Sequence, residues 1–207
     1  MKILFIGDSI TDSGRLKDQP LSLGQGYTAM VAGELSYGFP ERDFVFLNRG
    51  ISGNKITDLL ARWRRDCINL EPDLVSILVG VNDVWHESNR QDGVSPDMYE
   101  RLYDIVLDET KARLPGVKLI LCEPFVLEAE GIKDIYPQIK PGVTVLQQIV
   151  KRLADKHACT FVPLQEPFDK ACKTARAEYW LTDGVHPSPA GNMLIAREWI
   201  GCAKSLL

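Results

Sequence analysis

Two short stretches of this 207-residue sequence carry the residue types that acyl-transfer chemistry uses. Ser9 lies in Gly7-Asp8-Ser9-Ile10-Thr11-Asp12, directly after the apolar run Ile3-Leu4-Phe5-Ile6. Far along the chain, Asp183-Gly184-Val185-His186-Pro187 precedes Ser188-Pro189. A serine hydroxyl is a poor nucleophile until a base takes its proton, and an imidazole serves as that base when a carboxylate holds its tautomer. The three-residue spacing of Asp183 and His186 suits two side chains on one side of a tight turn. Pro187 pushes His186 out of the α region, into a loop ahead of a helix that Ser188 would cap and Pro189 would start. The expected chemistry is attack by Ser9 on a carbonyl, with His186 as general base and Asp183 as its orienting partner. Oxyanion donors are expected from the backbone N–H groups of Ser9 and Gly50 and from the side-chain amide of Asn82.

Each of these loops also has a plain structural reading, because Ser9, Ser52, Asn54 and Asn82 are all good helix N-caps. The other two histidines fit the base role less well. His157 falls at the end of a helical pattern, where a cation at the C-terminal dipole explains it. His86 is near Asn82 but has no carboxylate at the same spacing, and is assigned to the rim of the pocket. The five cysteines (Cys67, Cys122, Cys159, Cys172, Cys202) are odd in number, scattered and without a C-x-x-C pair, which argues against disulfides and a structural zinc. They receive no catalytic role.

The elements that must position these residues alternate along the chain. Runs rich in Val, Ile, Leu and Phe at 2–6, 43–47, 74–79, 117–121 and 160–163 read as strands buried on both faces. Between them lie helical stripes. Ile56, Leu59, Leu60, Trp63 and Cys67 form one over 55–70, with Lys55, Asp58, Arg62, Arg65 and Asp66 off the stripe. Others run through Met98, Leu102, Ile105 and Val106, through Val145, Ile149, Val150 and Leu153, and through Met193, Ala196, Ile200 and Ala203, with a weaker helix at 27–35. Repeated strand-helix alternation implies a parallel sheet with helices on both faces, a three-layer α/β/α sandwich in one domain over 1–207. Ligands in such sheets bind at the carboxyl ends of the strands, where the polar loops after residues 6, 47 and 79 fall. The stretch 123–142, with Pro124, Pro137 and Pro141, reads as irregular and as a candidate lid or substrate loop.

Composition narrows the class. A formal net charge of −4 and 25% charged residues leave no general attraction to nucleic acid or anionic lipid. The N-terminal apolar run is too short for a signal peptide, and no stretch approaches the ~20 apolar residues of a membrane span, so a cytosolic protein is expected.

Over 7–191 the chain resembles the SGNH hydrolases, also called GDSL-type esterases and lipases. Gly7-Asp8-Ser9-Ile10 matches the first block, with Ile10 in place of the usual leucine, and Gly50 is matched to the second block's glycine. Gly80 to Asp83 matches G-x-N-D with Asn82 as its asparagine, and Asp183 to Pro187 matches D-x-x-H-P. Within the family, Gly50-Ile51-Ser52-Gly53-Asn54, Asn82-Asp83-Val84-Trp85 and His186-Pro187-Ser188 look most like cytosolic acetylxylan esterases and other carbohydrate acetylesterases. The resemblance implies a five-stranded, flavodoxin-like parallel sheet, deacetylation of sugar hydroxyls without cofactor or metal, and often a homo-oligomer. Asp8, Trp85 and Trp180, with Tyr179 beside the last, are the expected substrate contacts, aromatic faces being suited to sugar rings; as buried anchors of the site walls they have an equally good reading. The alternatives are a lipase, lysophospholipase or thioesterase of the same family, and a non-catalytic flavodoxin-like binding protein. A phosphate-cradling binding protein is disfavoured because Asp8 and Asp12 flank Ser9 and Thr11 and would repel an anion, and a Mg-dependent phosphoryl-transfer protein would leave Asp183 and His186 without a purpose.

Overall fold

Ile3, Leu4, Phe5 and Ile6 are all inaccessible to solvent, so the strand they form needs apolar cover on both faces. A computed structural model of the chain, which describes residues 1–207 apart from the side chains of Asn89 and Arg90, supplies that cover. Strand β1 (Lys2–Gly7) pairs in parallel with β2 (Val45–Gly50) on one side and β3 (Leu74–Leu78) on the other. The sheet continues through β4 (Lys118–Cys122) and β5 (Thr160–Val162), in the order β2-β1-β3-β4-β5. Chain direction across the sheet therefore reverses between β1 and β3, the crevice where doubly wound sheets place their ligands.

Alternate residues of β1 face opposite layers. Ile3 and Phe5 join a core with α2 (Tyr27–Gly38) and α9 (Pro189–Ala203), where the Phe5 ring lies 5.7 Å from Tyr27 and 5.4 Å from Trp199. Leu4 and Ile6 join a second core with α3 (Ile56–Asp66), α5 (Pro96–Arg113) and most of α6 (Tyr136–Lys156). Each fully buried Leu or Ile contributes ~1.5–3 kcal/mol of transfer free energy, so the apolar strand sequence is itself the main anchor of the turn that carries Ser9. The indole N–H groups of the two largest buried residues are satisfied, Trp63 by Thr110 Oγ1 and Trp199 by Ser76 Oγ, both at 2.9 Å.

Several expectations are corrected. The second strand begins at Val45 and runs to Gly50, later than 43–47. Sequence periodicity gave no sign of α4 (Val81–Arg90), nor of the short α7 (Gln165–Ala171) and α8 (Ala177–Trp180). The stretch 123–142 is not wholly irregular, and much of it is packed into the core. Helix α6 starts at Tyr136 with Pro137 in its first turn, where a missing N–H matters little, and continues through Pro141 because buried Ile139 and Val143 hold that turn against the core. Upstream, Phe125, Val126, Leu127, Ala129 and Ile132 are buried, and the Val126 N–H donates to Gln165 Oε1 at 3.1 Å.

Candidate active site

The row Gly7, Gly50 and Leu78 marks where β1, β2 and β3 end in register, so the loops that follow all open on one rim. A Cβ on Gly7 would lie 2.1 Å from the Leu78 carbonyl oxygen, so only glycine lets β1 leave the sheet so close to β3. The chain then enters the single turn α1 (Ser9–Asp12), capped by Asp8, whose Oδ1 accepts the Ile10 N–H at 3.0 Å. Asp8 is thus the cap expected of Ser9. Its carboxylate is buried beneath the Ser9 turn rather than presented to a ligand, a correction to its expected substrate contact, and burial pushes its pKa up to about 7. The cap leaves the Ser9 N–H open at the start of the turn and the Ser9 side chain half-buried on the rim.

His186 arrives from the other end of the chain on a tight loop. Leu181 and Pro187 form an antiparallel bridge, the Thr182 N–H donates to the His186 carbonyl at 2.9 Å, and Ser188 caps α9 with Pro189 in its first turn, as the sequence predicts. Gly184, at φ +90°, makes the bend, and its carbonyl accepts the Leu127 N–H at 2.9 Å, so the segment expected to be a lid or substrate loop backs this loop. Asp183 Oδ1 accepts the N–H groups of Val185 (3.0 Å) and His186 (2.8 Å), leaving Oδ2 for the ring, 2.7 Å from His186 Nδ1. A carboxylate only accepts, so Nδ1 carries the proton and Nε2 is the acceptor, 2.9 Å from Ser9 Oγ. Partial burial opposes ionisation of Asp183, but the ring and the two backbone donors outweigh it and hold its pKa at about 2. The same ring-to-carboxylate bond raises the pKa of His186 above 6.5 against partial desolvation, with the Asp183 and Asp8 charges adding to the rise.

Asn82 is the second residue of α4 and does not cap it; Gly80 holds that position, as Lys55 does for α3, so the N-cap readings of Ser52, Asn54 and Asn82 are not realised. One hydrogen of the Asn82 amide donates to the Asn54 carbonyl at 3.1 Å, leaving the other available to a ligand. Gly50 is corrected as an oxyanion donor. Its N–H is spent on Asn48 Oδ1 at 2.8 Å, and a Cβ there would sit 2.2 Å from the Asp12 backbone nitrogen, so this glycine exists to let β2 and α1 touch. In the same loop Gly53, at φ +82°, has an N–H without a hydrogen-bond partner among the described residues and precedes the carbonyl that holds Asn82. Sequence reasoning passed it over, although the Ser52-Gly53 pair is a turn signal two residues into the loop.

Trp85 and Trp180 are half-buried, both packed against the larger core, and Tyr179 is 56% exposed with its ring 5.0 Å from that of Trp180. The Trp180 Nε1–H is buried without a partner among the described residues. His157 does cap the end of α6, where it meets Asp104 at 2.6 Å, and His86 lies half-buried one helical turn past Asn82. All five cysteines are free, and burial raises the thiols of Cys67 and Cys122 to about 12.

A doubly wound sheet with a linked serine, histidine and aspartate at the carboxyl ends of its strands is the architecture of a serine hydrolase. Residues 5–194 match the GDSL-like lipase/acylhydrolase family, and the chain belongs to it; it is a carboxylic ester hydrolase. An acetylxylan esterase from Geobacillus stearothermophilus is 37% identical over 207 residues, covering 96% of this chain and 92% of that protein. The crystal structure of Axe2, an acetylxylan esterase from the same organism, has a TM-score of 0.86 at 36% identity, over 97% of this chain and 92% of that one. Catalytic mutants of Axe2, one with a serine and one with an aspartate replaced by alanine, are among the solved structures of similar fold. A GDSL-like lipase candidate from Parabacteroides merdae superposes with a TM-score of 0.94 at 38% identity, covering 98% of this chain and 95% of that one.

Proposed function

We propose that this chain removes short acyl groups, acetyl foremost, from carbohydrate hydroxyls through an acyl-enzyme on Ser9. The observation that carries the reading is the unbroken relay from Ser9 Oγ to His186 Nε2 and from His186 Nδ1 to Asp183 Oδ2. As Ser9 Oγ bonds to the ester carbon, its proton passes to His186 Nε2 and the carbonyl oxygen becomes an oxyanion. The Ser9 and Gly53 N–H groups and the free hydrogen of the Asn82 amide are the donors assigned to it. Collapse of the intermediate expels the sugar alkoxide, which takes the proton from Nε2. Water then repeats the sequence, releasing the carboxylic acid and restoring Ser9.

The acetylxylan esterase relative supports acetyl as the acyl group and an acetylated xylo-oligosaccharide as the substrate class, and the flanking Trp85, Tyr179 and Trp180 supply faces on which a sugar ring can lie. A single domain, a cytosolic setting and an assembly of copies go with the same reading, through the likeness to cytosolic acetylxylan esterases. The test is kcat/KM for p-nitrophenyl acetate, butyrate and octanoate, followed by acetate release from acetylated xylose and glucose. Rates should fall with chain length, since each added methylene needs an apolar wall worth ~0.8 kcal/mol to be welcomed. A rate that climbs with length, or no acetate from any sugar, moves the substrate to a lipid or thioester. Ser9→Ala should fold normally and lose ~10³-fold or more in kcat; phosphonate labelling at any other residue refutes the nucleophile.

A further inference from the structure

Helical patterning puts Arg62 off the apolar stripe of α3, where an arginine belongs in solvent, yet it is only 8% exposed and points under the active-site rim. Its Nη2 donates to the Gly7 carbonyl at 3.0 Å, its Nη1 to the Arg49 carbonyl at 2.8 Å, and its Nε to Asn54 Oδ1 at 2.8 Å. Asp66, at 3.0 Å from Nη1, balances the charge. These acceptors belong to the end of β1 two residues before Ser9, to the end of β2, and to the turn that carries Gly53. The last of these also holds Asn82 through the Asn54 carbonyl. The Gly7 carbonyl accepts in addition the N–H of Ile51 at 3.1 Å, closing the link between nucleophile turn and oxyanion loop. We propose that Arg62 is a positioning residue for the reaction: its guanidinium fixes how far the Ser9 turn stands from Gly53 and Asn82.

Physical chemistry favours this over a role in stability alone. Burying a guanidinium is expensive, and well-packed apolar residues commonly replace buried ion pairs without loss of stability. What an apolar residue cannot do is bond three chain segments at set angles, and neither can lysine, whose ammonium lacks the planar fork. The inference rests on the assignment of Gly53 and Asn82 to the oxyanion, so its test must separate the two.

Arg62→Lys and Asn54→Ala are each measured with p-nitrophenyl acetate, alone and combined with Asn82→Ala, with a thermal melt for every variant. Asn82→Ala alone should lower kcat by ~10²–10³-fold. Arg62→Lys should lower kcat by ~10-fold with KM within about twofold and the pH profile unmoved, since the His186–Asp183 pair is untouched; in the Asn82→Ala background the same change should lower kcat by less than ~3-fold, because the donor it positions is gone. If Arg62→Lys does not fold, Asn54→Ala, which removes one bond and leaves the ion pair intact, carries the same cycle. Equal losses in both backgrounds, or a rise in KM with kcat unchanged, overturn the positioning role while the oxyanion assignment stands. Full activity in Asn82→Ala overturns both.

Discussion

Asp183 has two jobs on two oxygens, and Asp183→Asn separates them. Asparagine can keep its Oδ1 on the N–H groups of Val185 and His186, so the loop should survive. What replaces Oδ2 is an amide nitrogen, a donor, and it will accept only a deprotonated Nδ1. The ring is then driven to carry its proton on Nε2, 2.9 Å from Ser9 Oγ, where it can no longer accept one. A wrong tautomer of this kind lowers kcat by ~10⁴-fold in serine proteases, ~5 kcal/mol of barrier. Stability should change far less. The fall in the Asp183 pKa from 3.8 to about 2 corresponds to ~2.5 kcal/mol at ~1.36 kcal/mol per unit, and the side chain is nearly half exposed, so solvent screening reduces this to ~1 kcal/mol, or roughly 2–4 °C in Tm. Because the folded pKa is depressed, that contribution is present above ~3.9 and is lost as pH falls toward 2, so it is intact throughout the assay range. The assay is kcat/KM for p-nitrophenyl acetate from pH 5 to 9. Wild-type activity should rise with pH as His186 loses its proton, along a limb displaced above 6.5 by Asp183. Asp183→Asn should leave a small residue of activity with a normal melt. More than about a tenth of wild-type kcat in that variant refutes the tautomer argument, and a wild-type limb at or below ~6.5 refutes the rise that Asp183 imposes on His186.

Other outcomes follow from buried groups and close approaches. Asp83 is fully buried with Oδ2 unpartnered among the described residues, and burial lifts its pKa to about 8. A raised folded pKa favours the native state below the unfolded value of ~3.9 and loses that advantage as pH rises to about 8, so Asp83→Asn, which mimics the neutral acid, should melt near wild type at about pH 4, increasingly above it as pH rises, and furthest above it at about pH 8 and beyond. An identical pH dependence of Tm in the two proteins would count against this. Gly50→Ala places a Cβ 2.2 Å from the Asp12 nitrogen and should destabilise by ~3 kcal/mol, whereas Gly53→Ala meets no atom within 4 Å and bears only the left-handed backbone penalty of ~1–2 kcal/mol. Urea melts that reverse this order would show that the two glycines have been assigned the wrong reasons.

The sheet and the hydrogen-bonded Ser9–His186–Asp183 arrangement were legible because their signals are local: short apolar runs for strands, and a proline that fixes the backbone beside His186. Signals that depend on partners were not. Asp8 and Ser9 are both competent caps, and only the pairing of Ser9 Oγ with a residue 177 positions away leaves the cap to Asp8. Two glycines three residues apart look alike until Asn48 claims one N–H. Arg62 reads as a solvent residue on any helical wheel, since the acceptors that draw it inward belong to other elements. Pro141 argues against a helix, and loses to the burial of Ile139 and Val143 on either side of it.

The nucleophile and its neighbours on β2 and β3 come from the first 82 residues, while the base stands at the entrance to α9. Forming the Ser9–His186 contact closes a loop spanning most of the polypeptide, the kind of long-range contact that slows folding. A chain still emerging from the ribosome can therefore assemble its nucleophile turn but has no base to arm it. Catalysis should switch on only when α9 docks and Trp199 settles against Phe5 and Ser76. During refolding, recovery of esterase activity should coincide with the burial of that indole and lag behind formation of the β1–β3 pairing.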